Sequence, residues 1–240
     1  MEEKNNSKLV LKVQDLHVHF GKQEVLDGLD FEVNKGEALA IVGPNGAGKT
    51  VLFKSLLGII PYTGTIEWKS GVRLGYVPQR MEIETDVPLT VREFLSLRDS
   101  KNFSEDRAKE SIGSVSLPES ILEKGIGEIS VGQRQRILIA WALLGNPNFL
   151  LFDEPTADID ISGQESAYQL IHNLQQKLNL TIILISHDLN VVYKHAHQVL
   201  CLNRQKICFG PPADVLDDKT IQKLYGGEHG LFKHDNEHKH

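Results

Sequence analysis

Chemistry concentrates in four short stretches of this chain. The first is Gly43, Pro44, Asn45, Gly46, Ala47, Gly48, Lys49 and Thr50, which fits G-x-x-x-x-G-K-[ST]. Glycines there let backbone N–H groups close around a polyphosphate, and a helix starting at the end of the loop adds unpaired donors and positive dipole. In such a loop Lys49 reaches the β- and γ-phosphates, and the Thr50 hydroxyl ligates Mg²⁺. The other three are Gln79, the pair Asp153-Glu154, and Ser186-His187, side chains able to contact a phosphate, hold a metal or take a proton.

These groups sit where apolar runs end. Residues 39–42 read as a buried strand and 50–60 as a helix, so the glycine stretch lies between strand and helix. Residues 73–77 form a strand stopped by Pro78, 149–152 a strand ending at Asp153-Glu154, and 181–185 one ending at Ser186-His187. Open parallel sheets bind ligands at the carboxyl ends of their strands, so one site can hold Lys49, Gln79, Asp153, Glu154 and His187. A helix over 164–178, introduced by the capping-box pattern Ser162-Gly163-Gln164-Glu165, completes a βαβ unit.

The rest of the chain frames that core. Residues 9–20 and 24–33 alternate apolar and polar around Gly21, predicting antiparallel strands, with a further strand over 64–68. Phe20, at the end of the first run, is either a core aromatic, which the pattern favours, or a platform for an adenine ring. Residues from about 85 to 145 read as a helical insertion, containing the capping box Thr90-Val91-Arg92-Glu93. Within it Ser130, Val131, Gly132 and Gln133 precede a helix over 134–144, either as a second phosphate-contacting device or simply as a cap. A helix over about 189–196, short strands over 199–202 and 206–209, and a last helix over about 213–225 follow. The expected fold class is α/β: a P-loop core with a mostly parallel sheet, an antiparallel β subdomain and a helical insertion.

With 240 residues, 40% hydrophobic and 24% charged, the chain can bury a proper core. A net charge of -6 and a pI near 5.9 argue against a nucleic-acid partner. The start has no apolar signal region, and no stretch approaches the roughly 18 to 20 apolar residues of a membrane span, so a soluble cytoplasmic protein is expected. Cys201 and Cys208 read as small strand residues in a reducing compartment, facing each other if a hairpin turns at Arg204-Gln205. Near the end, His229, His234, His238 and His240 stand beside Glu228, Asp235 and Glu237, a set that suits Zn²⁺ or is merely a solvated tail.

In this order the motifs resemble those of the nucleotide-binding subunits of ABC transporters. Gly43 to Thr50 looks like Walker A, Gln79 the Q-loop glutamine, Ser130 to Gln133 the signature, Phe149 to Asp153 Walker B, Glu154 the catalytic glutamate, Asp160 the D-loop aspartate, His187 the switch histidine and Phe20 the A-loop aromatic. The resemblance implies ATP contacted by Phe20, Gly43 to Val51, Ser130, Gly132, Gln133 and Asp160, and Mg²⁺ held by Asp153 with Thr50 and Gln79. Glu154 would polarise the attacking water, with Lys49, Gln79 and His187 around the γ-phosphate. The resemblance runs over about residues 9–225, which read as the nucleotide-binding domain; residues 1–8 are expected to be a disordered N-terminus and 226–240 a His-rich flexible tail.

The implied partners are a second copy of the chain, whose signature closes over the ATP, and integral membrane permease subunits. A cleft after Gln79, beside the helix opened by Thr90, would receive a permease helix and place the protein on the cytoplasmic side of the membrane. A periplasmic or lipid-anchored metal-binding protein would act through the permease. Three residues depart from the family pattern: Val131 stands where the first signature glycine is usual, Val51 replaces a hydroxyl residue, and Asp158 replaces a small residue. Tyr76-Val77-Pro78-Gln79, Pro88-Leu89-Thr90-Val91 and Cys201-Leu202-Asn203 look most like zinc importer ATPases, with manganese or iron importers and a soluble non-transport ABC ATPase as alternatives.

Overall fold

A computed structural model describes residues 8–80, 87–98, 103–156 and 161–226, with residues 161 and 162 described by their backbone only. Strands β1 (Leu9–Phe20) and β2 (Gln23–Asn34) form a hairpin, and β4 (Thr63–Trp68) pairs with the other edge of β1. All three are antiparallel, and alternation buries one face: Leu11, Val13, Leu16, Leu29, Phe31 and Val33 turn inward.

The second sheet has the order β5 (Leu74–Val77), β6 (Phe149–Asp153), β7 (Thr181–Ile185), β3 (Ala38–Val42), β8 (Gln198–Asn203), β9 (Gln205–Gly210). Its pairs are parallel except the terminal β8–β9 hairpin. Every residue of β3, β6 and β7 is buried, because layers cover both faces, and this is why those strands read as unbroken apolar runs. Leu39, Ile41, Phe149, Leu151, Ile183 and Ile185 pack with the antiparallel sheet. On the opposite face Leu150, Phe152, Ile182 and Leu184 pack with helical residues such as Ile137 and Ile171.

The helices are α1 (Lys49–Leu56), α2 (Val91–Ser96), α3 (Glu105–Ser114), α4 (Val131–Leu144), α5 (Ile161–Leu178), α6 (Leu189–His195), α7 (Pro212–Val215) and α8 (Asp218–Tyr225). Helix α1 stops short of residue 60 because Gly58 adopts φ 67, and the Gly58 and Ile59 N–H groups turn back onto the Ser55 and Lys54 carbonyls. Helix α5 starts earlier than expected, at Ile161, so Ser162 lies inside its first turn rather than capping it. The expected last helix is broken in two: Asp217 is extended, at φ -82 and ψ 168, and its side chain caps α8 through the Thr220 N–H.

Two further readings are corrected. Cys201 and Cys208 are not free strand residues but a disulfide, formed between directly opposed positions of the β8–β9 hairpin. Arg204, at φ 63, makes the turn that opposes them. Phe20 is no core residue; it is 52% exposed at the end of β1, where the strand runs beyond the buried face.

Candidate functional site

The glycine loop leaves β3 at Gly43 and enters α1 at Lys49. Two of its glycines are required by geometry. A Cβ on Gly43 would sit 2.0 Å from the Leu202 carbonyl oxygen, where the loop leaves the sheet against β8. Gly48 has φ 97, and a Cβ there would meet Leu26 Cδ2 at 2.6 Å. As the residue before α1, Gly48 has no side chain with which to cap the helix, so the first-turn N–H groups face the loop without a side-chain acceptor. The Lys49 ammonium is buried and donates to the carbonyls of Gly43 and Pro44 at 2.9 and 3.1 Å.

Parallel pairing of β3 with β7, and of β7 with β6, aligns the carboxyl ends of these strands. Glu154 follows β6 directly, with φ 48, and its carboxylate lies 2.6 Å from His187 Nε2 and 3.7 Å from Lys49 Nζ. Gln79 Nε2, two residues past β5, donates to the second Glu154 oxygen at 3.3 Å. Asp153 is buried and accepts from the Tyr76 hydroxyl at 3.3 Å and from Thr50. Lys49, Thr50, Gln79, Asp153, Glu154 and His187 are thereby brought to one place, with Glu154 touching three of the others.

Electrostatics divide the two carboxylates. Burial, and then the charge of Glu154, pushes the Asp153 pKa above the ordinary carboxylate range, against the opposing effects of Tyr76, Thr50 and Lys49. Burial also lowers the Lys49 pKa, and the Glu154 and Asp153 charges oppose that fall. A cation set between Asp153 and the Thr50 hydroxyl would relieve the first penalty, and an all-oxygen donor pair suits Mg²⁺. This arrangement can neutralise a polyphosphate and hold a carboxylate base beside it.

The signature residues are not part of that constellation. Ser130 caps α4, and the pair forms a reciprocal box: Ser130 Oγ accepts from the Gln133 N–H at 3.2 Å, and Gln133 Oε1 from the Ser130 N–H at 3.0 Å. Among the described residues neither bonds to the glycine loop. Val131 is a regular helical residue, 50% exposed, so no glycine-like backbone is asked of it. A Cβ on Gly132 would meet open space. Val51 lies in α1, packed against the core beneath the antiparallel sheet. Pro44, Asn45, Gly46 and Ala47 form the loop itself, whereas Asp158 and Asp160 lie outside the described residues, as do the tail histidines.

Two supporting features were not legible in the sequence. Tyr76 reaches Asp153 from the neighbouring strand; its place one residue before the end of a strand beside β6 is the sole hint. A buried hydroxyl chain links Thr156 to Tyr168 at 2.9 Å and Tyr168 to Ser186 at 3.2 Å, and the Asp188 N–H donates to Ser186 at 3.1 Å. It ties the segments after β6 and β7 together and so sets the distance between Glu154 and His187.

Comparison with known proteins agrees with this geometry. The family described as "ABC transporter" matches residues 26–157. This chain belongs to the ABC transporter family. Zinc import ATP-binding protein ZnuC of Pasteurella multocida is 36% identical over 236 residues, covering 96% of this chain and 89% of the relative. ZnuC of Rickettsia prowazekii is 34% identical over 234 residues, covering 97% and 99%. Among solved structures, cbiO1 of Clostridium perfringens, part of the ABC transporter complex cbiONQ, superposes with a TM-score of 0.77 at 27% identity, covering 90% of this chain and 94% of that one. The ATP-binding cassette MJ1267 in its ADP conformation gives 0.80 at 24% identity, covering 92% and 99%, which supports the fold. The domain is an ATP-binding ABC ATPase, and its described helices include none long and apolar enough to cross a membrane.

Proposed function

We propose that this protein hydrolyses ATP to drive a zinc importer, as the subunit that works on a separate membrane permease. The observation that carries the ATPase reading is Glu154, held between His187, Gln79 and Lys49 at the carboxyl edge of the sheet. The cargo assignment is supported by the ZnuC relatives, which cover nearly the whole chain.

In the proposed mechanism Lys49 and the N–H groups opening α1 bind the β- and γ-phosphates, and Phe20 stacks on the adenine. Asp153 and Thr50, with Gln79, would hold Mg²⁺, which would supply charge neutralisation to the polyphosphate when bound. Glu154 accepts the proton of the attacking water, and His187 orients the Glu154 carboxylate through the 2.6 Å contact. Ser130, Gly132 and Gln133 open a helix whose N-terminal end is exposed at Ser130 and Val131 and, among the described residues, makes no bond to the glycine loop, which supports their use on the nucleotide of a second copy. Asp160 is assigned to that same junction by resemblance alone.

The working unit in this reading is a homodimer on the cytoplasmic face of the membrane, served by a metal-binding protein outside. Residues 9–225 form the nucleotide-binding domain, with the segment 85–145 as its helical subdomain. Arg92 and Glu93, on the helix assigned to the permease cleft, already have partners within the chain: Arg92 pairs with Glu105 and Glu123, and Glu93 completes the Thr90 box. Copurification with the permease and vesicle uptake assays test the whole reading. ATP-dependent accumulation of zinc over manganese and iron is expected; uptake that ignores zinc overturns the cargo.

A further inference from the structure

A second cluster of chemistry-bearing side chains lies on the β1–β2 hairpin, away from the Glu154 site. His17 and His19 sit two apart on β1, so both rings project from one face and stack, with centroids 6.4 Å apart and planes 16° from parallel. Pairing places Glu24 opposite His19, and Asp27 lies three residues further along β2, just before Gly28, where the register of the pair is irregular. His17 Nδ1 is 3.0 Å from Glu24 Oε1 and 3.6 Å from Asp27 Oδ1, and His19 Nε2 is 3.2 Å from the same Glu24 oxygen. One ligand atom each from His17, Glu24 and Asp27 falls within a 4.8 Å span.

These separations match a coordination shell. Bonds of about 2.0 Å in a tetrahedron put neighbouring ligand atoms about 3.3 Å apart, between the 3.0 and 3.6 Å seen around His17 Nδ1. Outer contacts are also in place. His17 Nε2 faces Asp15 Oδ1 at 3.0 Å, the carboxylate–histidine arrangement that orients a ligating imidazole, and the free Asp27 oxygen accepts from Gln205 Nε2. The Gly28 N–H also faces His17 Nδ1, from 3.3 Å.

Charge favours a cation over a simple ion-pair cluster. Among the described residues, the basic groups paired with Asp15, Glu24 and Asp27 are the two imidazoles. Even with both rings protonated, three carboxylates outnumber two cations, and a divalent ion removes the excess. The side chains of His17, Glu24 and Asp27 are 26, 39 and 36% exposed, so an ion can enter while the backbone of the hairpin stays fixed.

We propose that His17, His19, Glu24 and Asp27 form a binding site for a divalent cation of the zinc class on the β1–β2 hairpin. Mixed imidazole and carboxylate ligands select zinc-class ions over Mg²⁺, which prefers oxygen alone and keeps its water. The site adjoins the nucleotide loop. Asp27 donates its N–H to the Arg204 carbonyl, Arg204 donates to the Ala47 carbonyl, and Leu26 and the Val25 carbonyl press on Gly48. Phe20 belongs to the same hairpin, so a bound ion fixes the strand that carries it. The proposal stands apart from the zinc-importer reading, because it rests on the ligand set alone.

The test uses the full chain with His229, His234, His238 and His240 replaced by asparagine, so that the tail contributes no imidazole. Zinc chloride is titrated by calorimetry, cobalt absorption reports tetrahedral geometry, and thermal unfolding is followed with and without zinc. One zinc per chain, a cobalt spectrum of tetrahedral intensity and a zinc-dependent rise in Tm are expected. Glu24→Gln, which keeps size while removing charge, should weaken zinc binding at least tenfold and abolish the rise in Tm; His17→Ala should do the same. Should His17→Ala not fold, Glu24→Gln carries the comparison. No zinc bound, equal binding by the Glu24→Gln chain, or displacement of zinc by an equal concentration of Mg²⁺ overturns the proposal.

Discussion

Replacing Glu154 with glutamine separates chemistry from binding at this site. The amide keeps the size of the carboxylate and can still bond to His187 and Gln79, now 2.6 and 3.3 Å away, but it cannot accept a proton. Loss of a general base costs about 10²–10⁴ in rate, or about 2.7–5.4 kcal/mol of barrier. Binding moves the other way. The lost charge lies 3.7 Å from Lys49 and raises the pKa of Asp153, so its removal leaves Asp153 ionised to lower pH and relieves repulsion of the triphosphate. The expected outcome in single-turnover hydrolysis with radiolabelled ATP is a 10²–10⁴-fold slower step, with ATP affinity in equilibrium dialysis equal to or tighter than that of the parent chain. A dimer stable in ATP and magnesium should appear by light scattering. Hydrolysis within a few-fold of the parent rate would refute the assignment of Glu154 as base. Lost ATP affinity would show instead that its charge holds the loop together.

Three other outcomes follow from the same geometry. Because the Asp153 pKa is raised in the fold, the native state holds that proton more tightly than the unfolded chain. Its ionisation therefore costs stability as pH rises from the ordinary carboxylate value through the raised one, so Asp153→Asn should unfold at a higher temperature than the parent at pH 8 without nucleotide, and the gap should close near about pH 4; a gap independent of pH excludes Asp153 as its source. Gly43→Ala forces a Cβ to within 2.0 Å of the Leu202 carbonyl oxygen and should lower stability by about 1–3 kcal/mol in urea titrations with unchanged m; a parental midpoint would show that the loop can move off β8. Phe20→Ala should weaken ATP binding about fivefold, the low end of base–aromatic stacking for a ring 52% exposed, while tripolyphosphate binding is unchanged; equal loss for both ligands would make Phe20 structural.

The nucleotide loop, the apolar strands and the carboxylate pair Asp153-Glu154 at a strand end were legible because each is encoded locally. Gly43 to Thr50 is a contiguous pattern, and β3, β6 and β7 are unbroken apolar runs because both faces of the sheet are covered. The meeting of Gln79, Glu154 and His187 followed from the rule that ligands gather at the carboxyl ends of parallel strands, whereas the order of those strands came only from their tertiary pairing. Other features depended on contacts between distant segments, which no local pattern carries. The alternation of β1 could not show that its last residue, Phe20, runs past the buried face, and the turn at Arg204 alone could not show Cys201 and Cys208 joined. Tyr76 meets Asp153, and Tyr168 bridges Thr156 and Ser186, because neighbouring strands and a packed helix place them there. The cluster of His17, Glu24 and Asp27 belongs to the same class. Its members are ordinary strand residues in sequence, and only the register of β1 against β2, with Gly28 turning at φ 61, brings one imidazole and two carboxylates within ligand distance.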